Sequence, residues 1–119
     1  MTQSLTFNTY FDKYLLVGPQ SAYDQKRRRI VNGFYYSLSS DLIHWSRPAL
    51  ILEGEMPWTY RCGDADPILY PSVLDPSSTS RNFETTGRRP YLYFTRDHYF
   101  ACREGLNRDL IRVRIEFSK

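Results

Sequence analysis

The sequence predicts an all-β chain of antiparallel sheets. Three observations carry this reading. Aromatic residues make up 16% of the 119 residues, ten of them tyrosine, and aromatic side chains suit the pleated surface of strands. Helical periodicity is nearly absent, while apolar residues alternate with a period of two. The apolar runs are short, and corners of Gly, Pro, Ser and Asp separate them.

Taken in order, Thr6 to Phe11 reads as a first strand. Lys13 to Gly18 (KYLLVG) is a second, closed by Gly-Pro. Lys26-Arg27-Arg28-Arg29 reads as a solvated hairpin loop. Gly33 to Ser39 is a third strand with alternating aromatics, and Ala49 to Leu52 a short fourth. Between them lies the corner "SLSSDLIHW". Asp41 can accept hydrogen bonds from the amides just downstream, as in an Asx-turn, with Ser39 and Ser40 doing so more weakly. One short helical turn starting at Ser40 or Asp41 is the other reading, and the two are compatible. Trp45 is expected to be buried against a neighbouring sheet. Glu55 to Gly63 (EMPWTYRCG) is a connector. Asp66 to Val73 carries Pro67 and Pro71, so it should be irregular or lie at a sheet edge. Asp75 to Arg89 is a long loop, Arg89 to Thr95 a strand, and Leu106 to Phe117 the last alternating segment.

Two segments recur. "KYLLVG" at 13–18 matches "PYLYFT" at 90–95, Tyr14 falling on Tyr91, and the same offset carries Tyr35 onto Arg112. Inner strand, loop, Tyr-Leu strand, loop and third strand thus occur twice. Weak repetition with variable loops is the mark of β-propeller blades, and two blades of roughly 50 residues fill this length. The expected fold is a single β-domain, a two-blade fragment of a β-propeller, with residues 1–55 as the first blade and 56–119 as the last.

Composition narrows the function. No apolar stretch approaches about 18 residues, so no membrane span or membrane partner is expected. The N-terminus lacks the basic and apolar regions of a signal peptide, and a cytoplasmic location is the default. The net charge of +3 is too small to argue for a nucleic-acid partner. Cys62 and Cys102 lack the spacing of a zinc or thioredoxin-type motif. Two free buried thiols and a Cys62–Cys102 disulfide both stay open. His44 and His98 are lone histidines without a ligand pattern, so neither metal nor cofactor is expected. No Ser-His-Asp spacing, phosphate loop or nucleotide fingerprint is present.

"YYSLSSDLIHW" resembles the Y-x-x-S-x-D-L-x-x-W signature of the five-bladed β-propeller glycoside hydrolases, the arabinanase, β-xylosidase and levansucrase group. "FNTYFDKYLLVG", "DADPILYPSVLDP" followed by "RPYLYFTR", and "LNRDLIRVRIEF" are similar to blade segments of the same proteins. The match is to the last two blades. In that family the catalytic carboxylates stand in earlier blades, so the resemblance implies a carbohydrate-active remnant that binds sugar without hydrolysing it alone.

The candidate site follows from the residues. Asp64 and Asp66 lie two apart, which in an extended chain puts both on one face with Cα atoms roughly 6.5–7 Å apart. That is near the separation of an inverting glycosidase pair, yet both would face the same side of a substrate. They are the weak catalytic candidates, with hydrogen bonding to turn amides as the plainer role. Trp58, Tyr60 and Arg61 precede them, and an aromatic ring beside carboxylates is a common way to hold a sugar. Packing of Trp58 against the next blade is an equal alternative. Asn8 and Tyr10 are expected to point into the same central funnel. The expected partners are an oligo- or polysaccharide and a second copy of the chain. Two blades leave apolar faces and a free edge open, which favours a homo-oligomer, preferably a dimer. The rival function is a non-catalytic assembly module joined through those edges.

Overall fold

β1 (Ser4–Asn8) runs antiparallel to β2 (Lys13–Asp24), which pairs in turn with β3 (Arg29–Ser39) and through it with β4 (Ala49–Glu53). The chain then crosses to a second meander, β5 (Ile68–Leu74), β7 (Tyr91–Asp97) and β8 (Arg108–Arg114). On the way from β5 to β7 a two-residue strand, β6 (Thr85–Thr86), pairs in parallel with β1. This computed structural model describes residues 3–105 and 107–119. Leu106, expected to open the last strand, lies outside them. The molecule is all-β, with a curled five-stranded sheet in the order β4-β3-β2-β1-β6 and a three-stranded sheet in the order β5-β7-β8.

The hairpin between β2 and β3 is longer than the Gly18-Pro19 pair suggests. β2 passes through both residues to Asp24, with Pro19 opposite Phe34. The last β1–β2 pair is Ser4 with Val17. Among the described residues Pro19 pairs with β3 alone, an edge position where a residue without an N–H is tolerated. The basic run is the solvated turn: Asp24 Oδ1 accepts the amides of Lys26 and Arg27, and Arg27 and Arg29 both reach Glu53. β5 is an edge strand, and its register slips between Leu69 and Ser72, where Tyr70 has φ 57° beside Pro71.

At the Ser-Ser-Asp corner, Asp41 Oδ1 accepts from the amides of Ile43 and His44 at 2.9 and 2.8 Å, and Ser39 Oγ accepts from Leu42. Leu42 has φ 65°, so no right-handed helical turn forms. The His44 ring and these amides hold the Asp41 carboxyl far below the usual carboxylate range. Trp45 is half-buried rather than enclosed, so removing its ring costs less than the ~3–5 kcal/mol of a core aromatic.

The sheets meet through Leu15, Val17 and Phe34 on one side and Ile68, Val73, Leu92 and Phe94 on the other. Phe34 and Phe94 touch edge to face, with centroids 5.6 Å apart. Met56 and Phe117 belong to the same buried cluster. Each such side chain contributes about 1.5–3 kcal/mol on burial. At Gly33 a Cβ would collide with the Leu52 carbonyl, so only glycine lets β4 approach β3 at its bulge.

A buried polar node joins β1 to the Asp75–Arg89 segment. Asn8 is fully buried; its Nδ2 donates to Thr86 Oγ1 and to the Gly87 carbonyl, and its Oδ1 accepts from the Phe11 amide. The Gly87 amide donates to Asp75 Oδ2 at 2.7 Å. Asn8→Ala leaves the Gly87 carbonyl and the Phe11 amide without these partners, and each orphaned buried group costs about 1–3 kcal/mol. The expected outcome is a loss of about 2–4 kcal/mol, read as a lower urea midpoint with an unchanged slope. An unchanged midpoint would show that the node is not structural.

Candidate functional site

The segment 54–66 between β4 and β5 carries most of the predicted site residues, and it is held from several directions. The Gly54 amide donates to the Asn32 carbonyl, and the Ile68 amide to the Glu55 carbonyl. Met56 plugs the core at 1% exposure. A tight turn follows, in which the Thr59 and Tyr60 amides both donate to the Met56 carbonyl. Thr59 Oγ1 accepts from the Met56 amide and donates to Glu55 Oε2 at 2.7 Å. Asn32 Nδ2 donates to the same Glu55 oxygen at 2.9 Å. A second turn is closed by the Arg61 amide donating to Asp64 Oδ2 at 2.8 Å, with Gly63 at φ 99°.

These turns shape an open groove of about 580 Å³ lined by Ile30 and Asn32 of β3 and by Glu55, Trp58, Thr59, Tyr60, Arg61 and Asp64. Trp58 is 64% exposed, which answers the question the sequence left open: its ring faces solvent at the groove and does not fill a core. Another groove, lined by the turn end of the β2–β3 hairpin with Arg47, Pro48 and Leu50, is smaller at about 490 Å³. It lacks an exposed indole set among fixed acceptors, so the 54–66 groove is the better candidate.

The far wall of the groove segment is clamped. Tyr60 packs edge-on against Tyr99 with centroids 4.5 Å apart. Cys62 and Cys102 form a disulfide, their Cα atoms 5.1 Å apart. The alternative of two free buried thiols is overturned, since both residues are exposed and bonded. The sequence separation of 40 corresponds to about 4 kcal/mol of loop-closure constraint on the unfolded chain.

The two aspartates are held by different partners. Asp64 is exposed and turned back onto the Arg61 amide, at the groove. Asp66 is half-buried and accepts from the Tyr99 amide and the His98 ring. His98 bridges two carboxylates, Asp66 at 3.0 Å through Nδ1 and Asp109 at 2.7 Å through Nε2. Asp109 and Asp66 together hold the His98 imidazole above its ordinary value, and the Tyr99 amide and His98 hold Asp66 below its own. Asn8 and Tyr10 do not line the groove. Asn8 serves the buried node, and Tyr10 packs on Phe11 with the cations of Arg88 and Lys119 over its ring.

Glu55, Thr59 and Asn32 are site residues that the sequence reading missed. Glu55 and Thr59 flank residues already singled out within "EMPWTYRCG", whereas nothing local marks Asn32, which arrives by strand pairing. Among the described residues no group of His, Cys, Asp and Glu is arranged to hold a metal ion. No family model, curated protein or solved structure matches the chain.

The His98 bridge makes a pH prediction. A group whose value is raised on folding adds stability that is fully present below its unfolded value, about 6.5, and loses it as pH rises through the folded value. Thermal midpoints measured from pH 5 to 9 should fall above about pH 6.5 relative to His98→Gln, which removes the titration. Parallel curves for the two proteins would refute the bridge.

Proposed function

We propose that this chain is a two-blade β-propeller piece of a carbohydrate-active protein, and that it binds a saccharide at the 54–66 groove without hydrolysing it. The single observation that carries the reading is Trp58, an exposed indole at a groove whose rim supplies the acceptors Glu55 and Asp64 and the donor Arg61. A sugar ring presents an apolar face to such an indole and its hydroxyls to fixed polar groups. The blade reading draws support from two successive meanders, β1-β2-β3 and β5-β7-β8, each centred on a Tyr-Leu strand and packed face to face through Phe34 and Phe94. Binding without hydrolysis draws support from Asp64 and Asp66 being held in different turns.

The test is a fluorescence titration with arabino- and xylo-oligosaccharides. Quenching that saturates in the native protein should vanish in Trp58→Ala, while the melting temperature stays within about 2 °C because the ring is exposed. Aryl arabinosides and xylosides should not be turned over. No saturation with any saccharide would overturn the binding reading, and turnover abolished by Asp64→Asn would overturn the non-catalytic one.

A second reading, an assembly module that self-associates, is favoured by the open edge of β4, on which Leu50 is exposed. Light scattering at micromolar concentration should then give twice the chain mass of 14.1 kDa. A single-chain mass that persists on concentration rejects it.

A further inference from the structure

We propose that the open edge of β8 is a docking site for an extended acidic segment of a partner protein, which adds to the sheet as a further strand. The inference is independent of the sugar-binding reading.

The edge is defined by the hydrogen bonding of the chain end. The amides of Ile115 and Phe117 donate inward to the carbonyls of Pro90 and Arg88. The β7–β8 ladder runs without a slip from Arg108 to Arg114. Alternation then turns the main-chain groups of Leu110, Arg112 and Arg114 outward, and β8 is the last strand of its sheet. Unpaired donors and acceptors in a row are a template for one more strand.

The side chains choose the kind of strand. Leu110, Arg112 and Arg114 are exposed on one face of that edge. Arg112 and Arg114 lie with their guanidinium carbons 4.4 and 4.0 Å from the Tyr91 ring centre, and Arg114 donates to the Tyr91 hydroxyl at 2.6 Å. Both are pre-positioned, and among the described residues neither has an ion pair. The other arginines nearby do: Arg108 meets Asp97 and Glu104, and Arg88 and Arg89 share Glu116. The face therefore offers two ordered, unneutralised guanidiniums beside an apolar Leu110, which is 74% exposed. Carboxylates at alternate positions of an incoming strand match that spacing.

Two other occupants fit less well. A second copy pairing antiparallel through β8 places arginine opposite arginine in each central register. Centred on Ile111, for example, Arg108 faces Arg114, and like charges directly opposed destabilise a ladder. A single-stranded nucleic acid would use aromatic faces for stacking, but the Tyr91 face is covered by its two arginines and the open main-chain groups would stay unpaired.

The experiment is titration of the full chain with a short peptide alternating Thr or Val with Glu, with the same peptide carrying Lys for Glu, and with oligo-dT. The acidic peptide should bind, more weakly as salt is raised, and the lysine peptide should not. Arg112→Glu/Arg114→Glu should weaken binding by on the order of tenfold or more. Leu110→Pro removes an outward donor while sparing the ladder to β7, so it should abolish binding with the melting curve retained. No binding at about 1 mM peptide, equal binding of both peptides, tighter binding of oligo-dT, or indifference to both variants would each overturn the proposal.

Discussion

The structure depends on one residue, Gly87. Its carbonyl accepts from Asn8 at the end of β1, and its amide donates to Asp75 just past the end of β5. Asn8 and Asp75 are both buried; Asn8 ends β1 of one sheet, and Asp75 follows β5 of the other. A long loop would ordinarily be the freest part of the chain, but this one is fixed at both faces of a single residue. The main chain is tied as well: Phe7 and Thr9 donate to the carbonyls of Glu84 and Thr86. The Phe7–Asn8 end of the β1 edge is covered by β6 in consequence, which protects that end from pairing with other strands. A side chain at Gly87 would bring a Cβ to 3.2 Å from the Asp75 carboxylate, so the junction leaves little room for one.

From that junction the rest of the architecture follows by length. The two meanders are held face to face at one end by the node and through the middle by the Phe34–Phe94 contact. The chain passes from β4 to β5 through the segment 54–67, which crosses from one sheet to the other. Such a crossing exposes main chain, and the molecule answers with the Glu55, Thr59 and Arg61–Asp64 turns and a buried Met56. The groove is the by-product of this crossing. Thr59 and Asp64 are fixed because they satisfy backbone amides, and Glu55 because Thr59 and Asn32 donate to it.

Much of this was legible where local chemistry decides it. Alternation and tyrosine content gave the strands; Pro67 and Pro71 marked β5 as an irregular edge; Asp41 marked its turn. The repeat of Tyr14 and Tyr91 located the central strands of both meanders, β2 and β7, each paired on both sides. What the sequence hid was decided by pairing at a distance. Pro19 looked like a strand end, and β2 continues through it because Phe34 of β3 pairs opposite. Thr85 and Thr86 carry no strand signal and are ordered only by meeting β1. His98 looks isolated, since its partners Asp66 and Asp109 stand 32 and 11 residues away. Asp64 and Asp66 looked like a pair because spacing says nothing about which turn each carboxylate will serve.

Charge shows the same division between what is used internally and what is left to meet a partner. The excess of +3 over 119 residues is too small to imply a polyanion partner, but it is not spread evenly. Arg27 and Arg29 are tied to Glu53, Arg88 and Arg89 to Glu116, and Arg108 to Asp97, a carboxylate with no exposure and no hydrogen bond among the described residues. Burying that carboxylate is costly unless Arg108 stays beside it, so Arg108 is held to the fold. Arg112 and Arg114, on the same strand and the same face, lie over the Tyr91 ring, and Arg114 also donates to the Tyr91 hydroxyl and the Arg89 carbonyl, but neither meets a carboxylate among the described residues. One strand thus divides its arginines between an internal duty at its start and an open surface at its end. A guanidinium that stabilises nothing charged within its own chain is the one free to read a carboxylate on another.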